Sequence, residues 1–421
     1  MFSRMIMLII ISFFAVADCK SESLPQSNPG GPAVSYSESH EILESARPND
    51  ATISLYENRK NNFIQLQKRK GNVYTIAPKG NKVDFASNSN PKSLTLEKEL
   101  ASGYILSYIY YEKGIVKYNG KAANGRFSTD ITDKTVFFTH STGKSIISYL
   151  VGHAICDGYV ASIDEPVVWP MMEKTLYNQQ PLRNLLNMQA GDRHIVNDRS
   201  SHVMGSKIHH RATGLDAIAR SLENTRSGTK EVFYNNFLAD VIANYLAYKA
   251  GDDSEELLRK VFQDKIKIEN EVTFELRERV ASGMDRFSAK PHDRVSYSFY
   301  MTRLDFLRVA EAMMKDYQNN TCAGAYLKQS QLQAVTWPKY RPNSNNASLW
   351  IDSYAKKYGS QFYFDFYGMS NKNIMATQGL NGQNMMIDLD NSRIVVTNSA
   401  ATAWNQKLFI LDAIESGMIP K

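Results

Sequence analysis

The sequence contains little cysteine. Its 421 residues include three cysteines, Cys19, Cys156 and Cys322, too few for the disulfide framework that holds small secreted domains together. Cys156 falls within an apolar pattern of helical spacing, so we expect a buried thiol there, with pairing to Cys322 left open. The stability of the fold is expected to come from a hydrophobic core, for which a hydrophobic content of 43% is sufficient.

Long hydrophobic runs are also lacking. The run Met5–Ala17 is shorter than the ~20 residues that a membrane-spanning helix needs. Arg4 precedes it, and it ends in Ala-Val-Ala, a pattern typical of a secretory signal peptide. We therefore expect a signal peptide at 1–17, export to the periplasm or the outside, and a flexible leader at 18–47 that is rich in Ser, Pro and Gly. Cys19 leaves open a second form, a lipoprotein that is tethered to a membrane through this cysteine.

No stretch of the chain carries a strong charge of one sign. The net charge is +6, and the densest basic cluster, residues 68–70, is typical of a solvated surface and not of a nucleic-acid patch. His202, His209 and His210 lie close together in the sequence but have no carboxylate or cysteine at metal-ligand spacing. We therefore expect no nucleic-acid partner, no metal and no cofactor.

The order of predicted strands and helices indicates an α+β fold. Aromatic and β-branched residues predict a hairpin at 104–118 and another near the C-terminal end, and apolar residues at helical spacing fill much of 160–290. This order favours an antiparallel sheet flanked by helices, with an inserted, mainly helical subdomain. We expect one domain, residues 48–421, whose sheet comes from about 100–135 and 365–421.

Ser141 and Lys144 mark a candidate reactive site. They lie three residues apart at the start of a long apolar helical pattern, so both side chains are expected on one face of the helix. A serine hydroxyl becomes a good nucleophile when a neighbouring base removes its proton. The same Ser-x-x-Lys spacing occurs at 89–92, 227–230 and 353–356, but none of these opens a long apolar helix. Spacing alone does not separate a nucleophile from a helix cap beside a solvated lysine.

Two further motifs follow along the chain. Tyr234-Asn235-Asn236 directly precedes another long helical pattern, and the glycine-containing segment 377–383 lies on a late predicted strand. Together with Ser-x-x-Lys, this order of motifs resembles the serine β-lactamase-like hydrolases, in the branch of class C β-lactamases, D-Ala-D-Ala carboxypeptidases and esterases. The resemblance covers about residues 100–415 and implies a β-lactamase/transpeptidase-like fold.

The resemblance implies a role for each matched residue. Ser141 would be the acylated nucleophile, Lys144 its base partner, and Tyr234 the group that passes a proton to the leaving group. Asn236 would position the substrate or the lysine. These three catalytic residues and the asparagine come from two separate parts of the chain, which the fold would have to bring together.

The third motif matches the family pattern in part. Gly379 would allow close approach of the backbone to the substrate, and the N–H groups of Leu380 and Ser141 would form an oxyanion hole. Where the family usually has a cation, this chain has Thr377, followed by Gln378. In the family that cation helps to hold a substrate carboxylate. Its loss argues against a β-lactam or peptide carboxylate and favours a neutral ester or amide.

These residues predict an exported serine hydrolase that cleaves a small ester, amide or peptide through an acyl-enzyme on Ser141. Two alternatives stay open. One is the same chemistry on a β-lactam or a D-Ala-D-Ala peptide, and the other is a catalytically silent binding protein of the same fold. The sequence does not predict the acyl group, the leaving group or the oligomeric state.

Overall fold

The structure, a computed structural model, describes nine segments of the chain. They are residues 73–80, 84–88, 91–102, 105–122, 131–196, 219–275, 299–339, 350–400 and 404–421. The predicted signal peptide, the leader with Cys19 and the three clustered histidines lie outside these segments.

Thirteen strands occur in the described segments. They are β1 (Val73–Ile76), β2 (Ala86–Ser87), β3 (Ile105–Glu112), β4 (Ile115–Lys121), β5 (Val136–Phe138), β6 (Val272–Glu275), β7 (Phe299–Thr302), β8 (Val335–Thr336), β9 (Ala355–Gly359), β10 (Phe362–Phe366), β11 (Ile374–Gly379), β12 (Gln383–Asp388) and β13 (Arg393–Ser399). Nine form one sheet in the order β2-β4-β3-β13-β12-β11-β10-β9-β8, antiparallel except where β2 meets β4. The other four form an antiparallel sheet in the order β1-β6-β7-β5.

Eight α-helices accompany the strands in these segments. They are α1 (Leu94–Ser102), α2 (Thr142–Cys156), α3 (Leu182–Leu186), α4 (Phe237–Ala250), α5 (Ser254–Arg259), α6 (Arg303–Gln318), α7 (Cys322–Leu332) and α8 (Asp412–Ser416). The predicted α+β class, an antiparallel sheet flanked by helices, is confirmed. The nine-stranded sheet also takes in β8 and β9, which precede the region predicted for its late half; the predicted domain boundaries stay a prediction. No helix within the described segments is both long enough and apolar enough to cross a membrane.

Strands β3 and β13 lie side by side near the middle of the nine-stranded sheet, with Ile109 opposite Val396. All residues of β3 except Glu112 are buried, in keeping with its content of aromatic and β-branched side chains, which suit a pleated, packed surface. Their pairing joins an early and a late part of the chain. The two predicted hairpins, β3–β4 and β12–β13, are confirmed.

Helix α2 runs through the core and carries the candidate nucleophile just before its first residue. Residues 142–152 are all buried, and the helix packs against α4, α7, β11 and β12. A Cβ atom at Gly152 would lie 2.6 Å from Cδ1 of Tyr326 in α7, so the absence of a side chain allows this close packing of the two helices. A helix that is enclosed in this way holds its N-terminal end in one position.

Cys156 and Cys322 form a disulfide, with their Cα atoms 5.7 Å apart. It joins the last residue of α2 to the first residue of α7. The prediction of a buried thiol at Cys156 is therefore wrong. The two cysteines are 166 residues apart in the sequence, and the helical pattern around Cys156 carries no information about which helix end meets it.

Replacing both disulfide cysteines by serine, Cys156→Ser with Cys322→Ser, is expected to lower the free energy of unfolding by about 2–5 kcal/mol. The bond closes a long loop and so restricts the unfolded chain, which is the main source of stabilisation in the chain-entropy model. Urea unfolding followed by circular dichroism measures the change. Cys19→Ser is the matched control. An unfolding midpoint equal to that of the wild type would contradict the prediction.

Candidate active site

Ser141 lies at a tight turn between strand β5 and helix α2. His140 has a left-handed backbone, with φ of +49°, which is uncommon for a residue with a side chain and recurs at functional sites. The N–H groups of Thr142 and Gly143 close the turn by donating to the carbonyls of Thr139 and His140. The Ser141 side chain makes no capping hydrogen bond to α2. Its role is therefore not that of a plain helix cap.

Lys144 contacts the Ser141 hydroxyl directly. Its Nζ is 2.8 Å from Ser141 Oγ and 2.8 Å from Asn236 Oδ1, and it donates a hydrogen bond to each. The lysine is 1% exposed, so its amine is shielded from bulk water. A serine and an amine at this distance can exchange a proton.

The other Ser-x-x-Lys pairs have different partners. Lys356 Nζ lies 3.4 Å from Asp365 Oδ1 and donates to Ser370 Oγ at 2.8 Å. Lys230 Nζ donates to the Ala190 carbonyl at 3.2 Å. Each of these lysines bonds to groups other than the serine three residues before it. The remaining pair begins outside the described segments.

Tyr234 is the second group near the nucleophile. Its phenol lies near the Ser141 side chain, and Lys144 Nζ lies 4.7 Å from its ring centroid. Trp337 and Tyr358 pack edge-on against the ring, with centroids 5.9 and 6.1 Å away. Burial raises the pKa of Tyr234 above its ordinary value, although the nearby Ser141 side chain opposes this. The phenol is therefore protonated near neutral pH and can act as a proton donor.

The two asparagines after Tyr234 do different things. Asn235 Oδ1 accepts the N–H of Leu238 at 3.0 Å and so caps helix α4. Asn236 makes no capping hydrogen bond, and its Oδ1 faces Lys144 instead. The asparagine that the resemblance singled out is thus the one that contacts the lysine.

Sequence reasoning missed Asp192, which holds the Tyr234 loop in place. Its Oδ2 accepts hydrogen bonds from Asn235 Nδ2 at 3.1 Å and from the Tyr177 hydroxyl at 2.9 Å. Burial raises the pKa of Asp192 to about 6. By fixing Asn235, this carboxyl also fixes the residues on either side of it. The signal in the sequence is an aspartate directly after the glycine turn at Gly191.

Strand β11 brings Gly379 against the turn that precedes Ser141. A Cβ atom at Gly379 would lie 2.4 Å from the Thr139 carbonyl oxygen and 3.2 Å from His140 Cβ. The approach therefore requires a residue without a side chain. Leu380 follows directly, and this residue is 39% exposed. Its backbone thus lies close to the nucleophile turn, the region where the predicted oxyanion hole would be.

Thr377 packs against the first residue of helix α2. It is fully buried, and its Oγ1 lies 3.4 Å from Thr142 Oγ1 and accepts the Met385 N–H at 3.3 Å. These contacts attach β11 to the first residue of α2. At this position a long cationic side chain would have to displace the contact with the helix.

Two charged residues near Tyr234 also escaped sequence reasoning. Lys339 and Asp352 lie in segments without a recognised motif, yet Lys339 Nζ is 5.7 Å from the Tyr234 ring centroid and 4.0 Å from Asp352 Oδ2. The Asp352 N–H donates to Gln378 Oε1 at 2.8 Å. The second residue of the late motif therefore contacts this charged pair.

Comparison with known proteins finds similarity in structure. No family model and no curated protein matches the chain. The penicillin-binding protein homologue from Pyrococcus abyssi superimposes with a TM-score of 0.54 at 13% identity, over 78% of this chain and 76% of that one. The D-amino acid amidase from Ochrobactrum anthropi SV3 gives a TM-score of 0.52 at 15% identity, over 76% of this chain and 97% of that one.

At these identities the likeness concerns the fold. It agrees with the antiparallel sheet flanked by helices, and it confirms the architecture that the order of motifs implied. The chain has the fold of the serine β-lactamase-like hydrolases.

Proposed function

We propose that the protein is an exported serine hydrolase that cleaves an ester or amide through an acyl-enzyme on Ser141. One observation carries the proposal. The Ser141 hydroxyl is within hydrogen-bond distance of Lys144, and the phenol of Tyr234 lies near it. Two groups that can exchange protons with a serine therefore converge on the same oxygen.

In the first step Lys144, as the neutral amine, accepts the Ser141 proton while Oγ attacks the substrate carbonyl. The hydrogen bond to Asn236 holds the amine nitrogen beside Ser141 Oγ during this transfer. The charge on the carbonyl oxygen is bound by backbone N–H groups, which we assign to Ser141 and Leu380. Tyr234 donates its phenolic proton to the departing alcohol or amine and regains a proton from Lys144. The C–O or C–N bond breaks, and the acyl group stays on Ser141.

Water completes the cycle in a second step. The pair Tyr234 and Lys144 accepts a proton from the attacking water. It then donates a proton to Ser141 Oγ as the bond between the acyl carbon and this oxygen breaks. The products are a carboxylic acid and the free enzyme. The partner in this scheme is a small ester, amide or peptide, and the amidase named among the similar structures is in keeping with such a substrate.

Export rests on two features of the chain. The segment 1–17 has the pattern of a signal peptide, and a disulfide such as Cys156–Cys322 persists mainly in oxidising compartments. We therefore place the protein in the periplasm or outside the cell. A lipid on Cys19 would tether it to a membrane.

Labelling with a fluorophosphonate probe tests the proposal. The wild type is expected to gain the mass of one probe less HF, because fluoride leaves as the serine is phosphonylated, and Ser141→Ala is expected to gain none. Ser227→Ala is the matched control, because Ser227 belongs to another Ser-x-x-Lys pair and donates to the Ala190 carbonyl. A wild type that takes no label would leave the silent binding protein as the better explanation, and a Ser141→Ala variant that labels equally well would contradict Ser141 as the nucleophile.

A substrate panel then separates the hydrolase from its close alternative. Nitrocefin turnover, or a stable penicillin adduct on Ser141 by mass spectrometry, would assign the chemistry to β-lactams or D-Ala-D-Ala peptides. Turnover of short-chain esters and amides without either result supports the esterase or amidase activity.

A further inference from the structure

We propose that Lys339 is a specificity-determining residue that binds a carboxylate on the substrate. The inference rests on the proposed function and deepens it, because it names a charge that the substrate carries. It also reverses the expectation of a neutral substrate, which followed from the absence of a cation on the late strand.

Lys339 lies beside the reacting groups. Its Nζ is 5.7 Å from the centroid of the Tyr234 ring and 5.7 Å from that of Trp337. Lys144 Nζ is 4.7 Å from the same Tyr234 centroid. Both ammonium groups therefore lie within the ~6 Å range of a cation–π contact with one ring, and the phenol of that ring lies near Ser141. A group held by Lys339 would therefore lie next to the Tyr234 ring.

The ammonium of Lys339 is accessible to a ligand. Its side chain is 61% exposed, whereas that of Asp352 is 6% exposed, and the closest pair of charged atoms is 4.0 Å apart. That distance is at the limit of an ion pair and exceeds a hydrogen bond. A compact charge on a flexible four-carbon stem can turn from such a contact toward an incoming anion.

Asp352 is the charged partner of Lys339. Burial raises the pKa of its carboxyl above the ordinary value, and among the groups that oppose this change Lys339 is the largest, ahead of the Gln378 side chain and the backbone N–H of Ser353. The N–H of Asp352 donates to Gln378 Oε1 at 2.8 Å, which fixes its backbone. Asp352 therefore positions Lys339 near Tyr234, and an incoming carboxylate has to compete with it for the lysine.

The late strand cannot supply this charge itself. Thr377 is buried against Thr142, so the position where the resembling family carries a cation faces the helix here. Lys339 comes from a different part of the chain, just after β8, and places a cation near the nucleophile from another direction. A carboxylate is the expected ligand, because an ammonium group forms charge-assisted hydrogen bonds with it.

A pair of p-nitrophenyl esters with equal acyl length tests the inference, one with a neutral acyl chain and one with a terminal carboxylate. Lys339→Gln is expected to lower kcat/KM for the carboxylate ester by about 10- to 100-fold, the effect of losing a hydrogen bond to a charged group. The neutral ester should lose less than the carboxylate ester, because it has no carboxylate for Lys339 to bind. Asp352→Asn should shift the preference further toward the carboxylate ester.

Lys328→Gln is the matched control, because Lys328 Nζ lies over the ring of Tyr317, at 4.9 Å, and not over Tyr234. Equal losses on both esters, or no loss on either, would overturn the inference. Absence of Ser141-dependent turnover would instead overturn the proposed function. In that case the role of Lys339 is decided by calorimetric binding of the same two esters to Ser141→Ala. We expect this variant to bind the carboxylate ester more tightly than the neutral one, and we expect the difference to disappear when Lys339→Gln is added. Equal binding of the two esters to Ser141→Ala would contradict the inference.

Discussion

Replacing Lys144 by alanine is expected to lower the turnover of p-nitrophenyl esters by about 10²–10⁴-fold, the usual loss when a general base is removed. The amine is 2.8 Å from Ser141 Oγ and is shielded from water by the burial of α2. Without it, the serine would have to release its proton to a phenol that is itself protonated near neutral pH. Initial rates at saturating and at low ester concentrations measure the loss in kcat and in kcat/KM.

A second variant separates base catalysis from simple charge. Lys144→Arg keeps a cation, but a guanidinium does not give up its proton near neutral pH, so this variant should be as inactive as Lys144→Ala. Lys315→Ala is the matched control, because Lys315 is exposed and pairs with Glu311 on α6. Turnover of Lys144→Arg within tenfold of the wild type would remove the base role. Urea unfolding of each variant shows whether any loss comes from the fold.

Replacing Tyr234 by phenylalanine is expected to lower ester turnover by about tenfold or more, the lower range for a lost acid–base group. The ring should stay in place, because its packing against Trp337 and Tyr358 does not involve the hydroxyl. The loss should be larger for a p-nitroanilide of the same acyl group, since an amine leaving group needs a proton and p-nitrophenolate does not. Comparing kcat/KM on the two substrates measures this difference.

Tyr248→Phe provides the control. This tyrosine lies on helix α4, where its ring packs against Trp169, and it has no contact with Ser141. Unchanged rates in Tyr234→Phe on both substrates would exclude the phenol from proton transfer. Equal losses on ester and anilide would assign it to another step, such as orientation of the nucleophile.

Much of the candidate site could be predicted because its parts have local signatures. A long apolar pattern distinguishes Ser141 from three other serines with a lysine three residues later, and a helix places that lysine on the same face. Tyr234 and Asn236 stand directly before another helix, where the chain enters it in a defined direction. The structure brings all four side chains together, as the order of the motifs implied.

Other parts of the site depend on contacts between distant segments. Asp192 and Asn235 are far apart in the sequence and meet only because the segments before α4 fold against each other. Lys339 and Asp352 belong to no motif, and their distance to Tyr234 follows from the path of the chain between α7 and β10. Neither contact leaves a periodic pattern, so the sequence provides no signal for it.

The hydrophobic periodicity and the order of the motifs were sufficient for the α+β class, the two hairpins, helix α2 and the candidate nucleophile, because each depends on neighbours along the chain. The tertiary structure alone decided that Cys156 pairs with Cys322, that Asn235 and not Asn236 caps α4, and that Thr377 faces α2. These outcomes depend on which surfaces pack together, and packing joins residues whose separation in sequence carries no information about their distance in space.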